Sequence, residues 1–269
     1  MNLLHVHYSG IVRNKTLIDH LLKHENIDIS EKGNVFFTHE KHSQSNEKLK
    51  EKIEHVINKK DTFKNIGNLW YFIIKNVRFF YKYNCLIIRE MKQQKIDHIE
   101  FRIKLGSHFD GNKKLSIQKE LSLFYKCRKL YKLSNKSFKI ICSVSKSVSK
   151  EKVYQYFNNI VRIVCKKPYL KDLISGFDIV GDEISGNSLS YYRDEIIRLR
   201  KKTDIPFFFH AGEHNHHKSI ENIKFAIKHG GNRIGHGIYC INDVKLMNRI
   251  KKKRIILEIS PLSNFSLST

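Results

Sequence analysis

Short apolar runs recur along the chain, separated by longer segments in which apolar residues return every three or four positions. Side chains alternate across a strand but recur at 3.6-residue spacing on a helix, so the two rhythms are distinguishable. The short runs predict strands over Leu3–His7, His98–Leu105, Phe138–Val144, Gly176–Gly181, Pro206–His210, Arg233–His236 and Ile255–Ser260. The longer segments predict helices over Asn68–Met91, Leu115–Leu133, Ser188–Lys202, Ser219–His229 and Asn242–Lys252. Glu31–Lys60 is polar and lysine-rich, and predicts a loop followed by an exposed helix. Strands that alternate with helices indicate β-α units on a parallel sheet. With 269 residues, no internal repeat and no interdomain linker, the chain predicts one domain over residues 1–269. An α/β barrel suits that length, and the seven predicted strands are one short of eight.

In such a fold the chemistry sits at the carboxyl ends of strands. His5-Val6-His7 ends the first apolar run. Two positions apart on a strand, both imidazoles face one side and can reach one metal ion, although ordinary packing also produces an H-x-H pair. The run Ile205–Phe209 delivers His210 to another strand end, where Ala211-Gly212 permits a tight turn to Glu213. Zinc hydrolysis needs this division of labour, with imidazoles holding the ion and a separate carboxyl moving protons. A solvated turn beside His214, His216 and His217 is the alternative, and those three histidines read as loop residues. Arg233-Ile-Gly-His236-Gly237 brackets a histidine with glycines. It implies either an imidazole presented at a strand end or a buried structural histidine. Asp178-Ile-Val-Gly181-Asp182-Glu183 and Glu258-Ile-Ser-Pro261-Leu-Ser263-Asn264 each run from a strand into a polar turn, and individually say little.

Charge adds a second expectation. Fifty Lys and Arg against 26 Asp and Glu give a formal net charge of +24, which attracts polyanions. The lysines are spread along the chain, and Arg198–Lys202 and Lys251–Arg254 read as solvated helix faces and ends. No nucleic-acid-binding motif accompanies them. The expectation is therefore no specific nucleic acid, only weak polyanion binding through the basic surface. The five cysteines are odd in number and form no C-x-x-C pair, which argues against a zinc ribbon and a complete disulfide framework. Cys142 and Cys165 lie among apolar residues and are expected to be packed thiols. The longest apolar runs are far too short to cross a bilayer. His5 interrupts the amino-terminal apolar residues too early for a signal peptide. The expected location is cytoplasmic as the chain is written, or secreted if the true amino terminus lies upstream.

Taken in order, H-x-H, G-x-D-x-x-G-D-E, H-A-G-E, R-I-G-H-G and E-x-x-P-x-S-N resemble the adenosine deaminase family of metal-dependent amidohydrolases, over Leu3 to Asn264. Arg233–Gly237 and Ser260–Asn264, with Asn68-Leu-Trp70 and Ile99–Arg102, are most similar to the growth-factor-like adenosine deaminases. The resemblance implies a (β/α)8 TIM-type barrel, Zn2+ as cofactor and a purine nucleoside as the small-molecule partner. It implies His5, His7 and His210 as zinc ligands. His236 would orient a zinc-activated water for attack on C6 of adenosine or deoxyadenosine, and Glu213 would protonate N1. Ammonia then leaves and inosine remains. The resemblance also implies the Gly181 N–H at the purine ring. Ser9 stands where the family often carries an acidic residue for a ribose hydroxyl. Reactions on adenine or an N6-substituted nucleotide are related, and Gly235 before His236 leans toward the nucleoside enzymes.

The chain also departs from the pattern. The family's last zinc ligand is an aspartate ending strand eight, followed by a second aspartate, and neither has a counterpart before Thr269. The expectation is a barrel incomplete at strand eight and its helix, truncated at the carboxyl terminus. A catalytically inactive homologue that binds a purine or another ligand is the competing expectation.

Overall fold

A computed structural model describes residues 1–39, 45–59, 63–261, 263 and 264. By contact the chain forms two compact units: Val6–Asp97 with Gly106–Leu115 and Met1, and Asn2–His5 with His98–Leu105 and everything from Ser116 onward.

In the first unit, helix α1 (Asn14–His24) turns Leu17, Ile18 and Leu21 inward, the i, i+1, i+4 stripe of an amphipathic helix. An antiparallel ribbon pairs Ile27–Ile29 with Val35–Phe37, where the polar pattern from Glu31 predicts only loop. Helix α2 (Asn46–Lys59) buries Leu49 and Ile53 and supplies the helix expected there; residues 40–44 and 60 of that stretch lie outside the described residues. The single helix predicted over Asn68–Met91 is broken. Short helices at Phe63–Leu69 and Tyr71–Ile74 and a 3-10 turn at Val77–Phe79 precede α3 (Phe80–Gln93). The break falls at Asn76, whose side chain accepts from the Arg78 N–H at 2.9 Å. Asparagine competes for backbone groups in this way and restarts helices rather than continuing them. The buried aromatic residues satisfy their polar ends: Trp70 Nε1 donates to Asn14 Oδ1 at 2.9 Å, and the Tyr83 hydroxyl donates to the Tyr8 carbonyl at 2.8 Å.

The second unit carries the sheet. Strands β1 (Asn2–His7), β2 (His98–Ile103), β3 (Phe138–Ser145) and β4 (Ile174–Val180) lie side by side in that order. Strands β5 (His210–Ala211), β6 (Arg233–His236) and β7 (Ile256–Glu258) form a second group. The β2–β3, β3–β4, β5–β6 and β6–β7 pairings are all parallel. A parallel bridge between Phe177 and Phe207 connects the groups. There Phe177 N–H donates to the Pro206 carbonyl and Phe208 N–H donates to the Phe177 carbonyl, each at 2.8 Å. The strand predicted over Pro206–His210 is thus extended, but regular pairing covers only its end, because Pro206 has no N–H to donate. Among the described residues no backbone pairing joins β7 to β1. The result is an α/β barrel-type sheet that does not close, as seven strands predict.

Helices α4 (Ile117–Leu130), α5 (Lys150–Lys166), α6 (Arg193–Arg200), α7 (His217–His229) and α8 (Val244–Lys252) follow β2, β3, β4, β5 and β6. Ser116 caps α4 by accepting from Lys119 N–H, and Asp243 caps α8 by accepting from Leu246 N–H. The sequence pattern left out α5. Its β-branched Ile160, Val161, Ile163 and Val164 lower helix propensity, and packing decides: Val153, Phe157, Ile160, Val161 and Val164 fall on one buried stripe. Phe157 lies 4.7 Å from Phe177 and 5.6 Å from Phe207, and Phe207 stacks on Phe209 at 5.2 Å. Each such buried ring contributes roughly 1.5–3 kcal/mol, and this layer fixes the chain just before His210. Cys142 is buried as expected, but Cys165 is exposed. It follows Val164 on α5 and turns off the buried stripe. Among the described residues no helix is long and apolar enough to cross a membrane.

Candidate active site

Two histidines of the second unit are tied to buried carboxylates. The His210 N–H donates to Asp178 Oδ1 at 3.0 Å, and His210 Nδ1 meets Asp178 Oδ2 at 2.7 Å. His5 Nδ1 meets Glu258 Oε2 at 3.1 Å. One guanidinium serves both acids: Arg102 Nε donates to Asp178 Oδ2 and Arg102 Nη2 to Glu258 Oε2, each at 2.7 Å. Arg233 pairs with Glu258 and, at 2.6 Å, with Glu100. Burial would push the Glu258 carboxyl up, but the hydrogen bond from His5 and the guanidiniums of Arg102 and Arg233 hold it down at about 2. It is therefore an acceptor, and His5 Nδ1 is the donor. For Asp178, burial outweighs the nearby Arg102 and lifts the carboxyl to about 6.

The imidazoles crowd together. Ring centroids of His5 and His210 are 4.7 Å apart, and His236 lies 4.6 Å from His5 and 5.1 Å from His210. Gly235 permits this approach, since a Cβ there would stand 2.8 Å from His5 Cε1 and 3.3 Å from His210 Nδ1. His7 closes β1 and falls in the first unit, whereas His5 and His210 belong to the second.

Glu213 is placed by Glu183. The Glu183 carboxylate accepts from the N–H groups of Gly212 and Glu213 at 3.0 and 2.9 Å, from Ser219 Oγ at 2.6 Å and from Asn222 Nδ2 at 2.8 Å. Burial opposes ionisation of Glu183, yet buried Lys146 and these donors bring it below the usual carboxylate range. Glu213 Oε1 then lies 3.1 Å from His236 Nε2. Burial pushes Glu213 up to about 7, against the pull of Lys146. Burial also pushes His236 down to about 4, against its contact at 3.3 Å with Asn264 Oδ1. Near neutrality a partly protonated carboxyl therefore faces a neutral imidazole, a pairing suited to proton transfer. His236 holds a φ of 64°, a left-handed conformation that a residue with a Cβ keeps only where its surroundings impose it.

The other expected residues are placed as follows. Gly181 follows β4 with a φ of 104°, and a Cβ there would come 3.4 Å from Ser145 Oγ. Ser9 lies in the 3-10 turn Tyr8–Gly10 of the first unit, beside Gly67. His214 stands 3.9 Å from Asp182, and His216 caps α7 by accepting from Lys218 N–H. His217 opens α7 instead of lying in the loop. Sequence reasoning gave no role to Arg102, Glu183 or Lys146. The available signal was Arg102 itself, a charge between the apolar Phe101 and Ile103 of a predicted strand.

Residues 2–269 match the family model for adenosine deaminase. An adenosine deaminase of Aedes albopictus is 30% identical over 183 residues, covering 66% of this chain and 33% of that protein. The chain spans about a third of the length of the curated relatives it matches in this way. Among solved structures, the N6-methyl-AMP deaminase of Arabidopsis thaliana has a TM-score of 0.65 at 17% identity, covering 98% of this chain and 72% of that one. An amidohydrolase with bound zinc from Burkholderia ambifaria has a TM-score of 0.70 at 14% identity, covering 100% of this chain and 67% of that one. Those two likenesses show a shared barrel-type fold. With the family model matched along nearly its whole length, the chain belongs to the adenosine deaminase family.

Proposed function

We propose that this site carries out hydrolytic deamination of adenosine or deoxyadenosine, giving inosine and ammonia, with Zn2+ held by His5, His7 and His210. The observation that carries the reading is the 3.1 Å approach of Glu213 Oε1 to His236 Nε2 beside the rings of His5 and His210. The donor set fits zinc. It offers imidazoles, and those of His5 and His210 have Nδ1 tied to carboxylates, the tautomer that puts the ring lone pair on Nε2. Membership in the family and the zinc of the Burkholderia ambifaria structure support the same ion. When bound, zinc supplies the Lewis acidity that activates water near neutral pH.

The remaining chemistry belongs to the chain's own groups. Glu213, which keeps its proton up to about pH 7, donates it to N1 of the purine and draws electrons from C6. His236, neutral at that pH, accepts a hydrogen bond from the attacking water and aims it at C6. The water oxygen becomes the C6 carbonyl; one of its protons passes to the amino group, which departs as ammonia, and the other restores the Glu213 carboxyl. Gly181, without a Cβ, lets the purine ring approach its N–H. Ser9 takes a ribose hydroxyl. Chromatography of adenosine incubated with the zinc-loaded protein tests the reading, with inosine as the expected product. Protein that holds zinc and leaves adenosine unchanged would contradict it.

A further inference from the structure

Arg102 stands one residue before the end of β2 with its side chain wholly buried, where a charge must be fully partnered. Its three nitrogens reach three other strands. Nε donates to Asp178 on β4, Nη2 to Glu258 on β7, and Nη1 to the Leu4 carbonyl on β1 at 3.0 Å. Each carboxylate presents the same oxygen to Arg102 and to a histidine. Asp178 Oδ2 takes Arg102 Nε and His210 Nδ1, both at 2.7 Å. Glu258 Oε2 takes Arg102 Nη2 at 2.7 Å and His5 Nδ1 at 3.1 Å. Arg233 meets Glu258 through the other oxygen and turns to Glu100, which leaves the link between the two histidines to Arg102.

We propose that Arg102 is a positioning residue that sets the tautomer and ring direction of His5 and His210 together. A carboxylate held by a guanidinium is an acceptor, so the ring nitrogen facing it must carry the proton. An imidazole protonated at Nδ1 has its lone pair at Nε2. The rigid planar fork of arginine can hold two carboxylates at fixed angles, whereas the ammonium of lysine is a point charge without that geometry. One side chain outside the ligand set therefore presents two ligand nitrogens to the same point. The inference rests on the zinc reading above, but its first test needs neither turnover nor metal.

Long-range proton–nitrogen correlation spectra of the 15N-labelled, metal-free protein report the tautomer of each ring. The expected result is Nδ1–H with a bare Nε2 at both His5 and His210. Arg102→Lys keeps the charge and loses the fork. It should give mixed tautomers at one or both rings and weaken Zn2+ binding, measured by competition with a chromophoric chelator, about 10–100-fold. A folded Arg102→Lys protein with both rings still Nδ1–H and unchanged zinc affinity would overturn the proposal. So would an Nε2–H tautomer at either ring of the metal-free natural sequence, a result that stays accessible if the variant does not fold. Natural protein with the expected tautomers and tight zinc, but no inosine, supports the role of Arg102 while removing the proposed reaction.

Discussion

Glu213 Oε1 and His236 Nε2 face each other at 3.1 Å, and burial moves their titrations in opposite directions. The carboxyl rises to about 7 and the imidazole falls to about 4. If Glu213 donates the proton to the purine, turnover should fall as pH rises through about 7, losing roughly tenfold per further unit as the donor empties. Glu213→Gln should lower kcat about 10^2–10^4-fold and leave zinc binding intact. Initial-rate pH profiles check both; a profile level through that region would count against Glu213 as the acid.

The same burial predicts that Glu213→Gln, which lowers turnover, raises stability above about pH 7. The folded protein keeps the Glu213 proton up to about 7, while the unfolded chain releases it near the ordinary value of 4.5. Between these the folded state binds more protons, so this group's contribution declines as pH rises and its cost is complete above about 7. Glu213→Gln removes an ionisation worth about 3 kcal/mol. The variant should therefore gain stability over the natural protein on moving from about pH 4.5 to above 7 in urea unfolding. A stability difference independent of pH would show that Glu213 is not strained by burial.

Glu183 anchors the turn that carries Glu213 by accepting four hydrogen bonds. Glu183→Ala leaves those donors buried and should cost about 3–5 kcal/mol, with activity falling as Glu213 loses its place. Glu183→Gln, which still accepts through one oxygen, should lie between. Chemical denaturation ranks the three proteins, and a loss under about 1 kcal/mol for the alanine variant would mean the turn holds itself.

Gly235→Ala tests the crowding of the imidazoles. Its Cβ would enter at 2.8 Å from His5 Cε1, forcing the ring off its position. The expected result is zinc affinity at least about tenfold weaker and a stability loss of about 1–3 kcal/mol. Unchanged zinc affinity in a chelator competition would show that His5 has room to spare.

The strands were legible because parallel strands covered on both faces read as short continuous apolar runs. Their ends marked His5, His210, His236 and Glu213, which the structure brings into one group. The helix over Asn68–Met91 was misread because its apolar spacing continues across Asn76, while the local hydrogen bond that breaks it leaves no mark on periodicity. The ties behind the histidines were hidden for a different reason. Arg102 reaches partners 76 and 156 residues away, and no local pattern encodes such a pairing. Charge was uninformative throughout, since the excess of +24 is spread along the chain.

The most direct measurement is adenosine turnover by purified protein as a function of added zinc, with inosine and ammonia quantified together. The site described here predicts the two products in equal amounts, formed only with zinc and lost in both His210→Ala and Glu213→Gln. Protein shown to hold zinc that leaves adenosine unchanged, or that forms inosine equally well as Glu213→Gln, would contradict it.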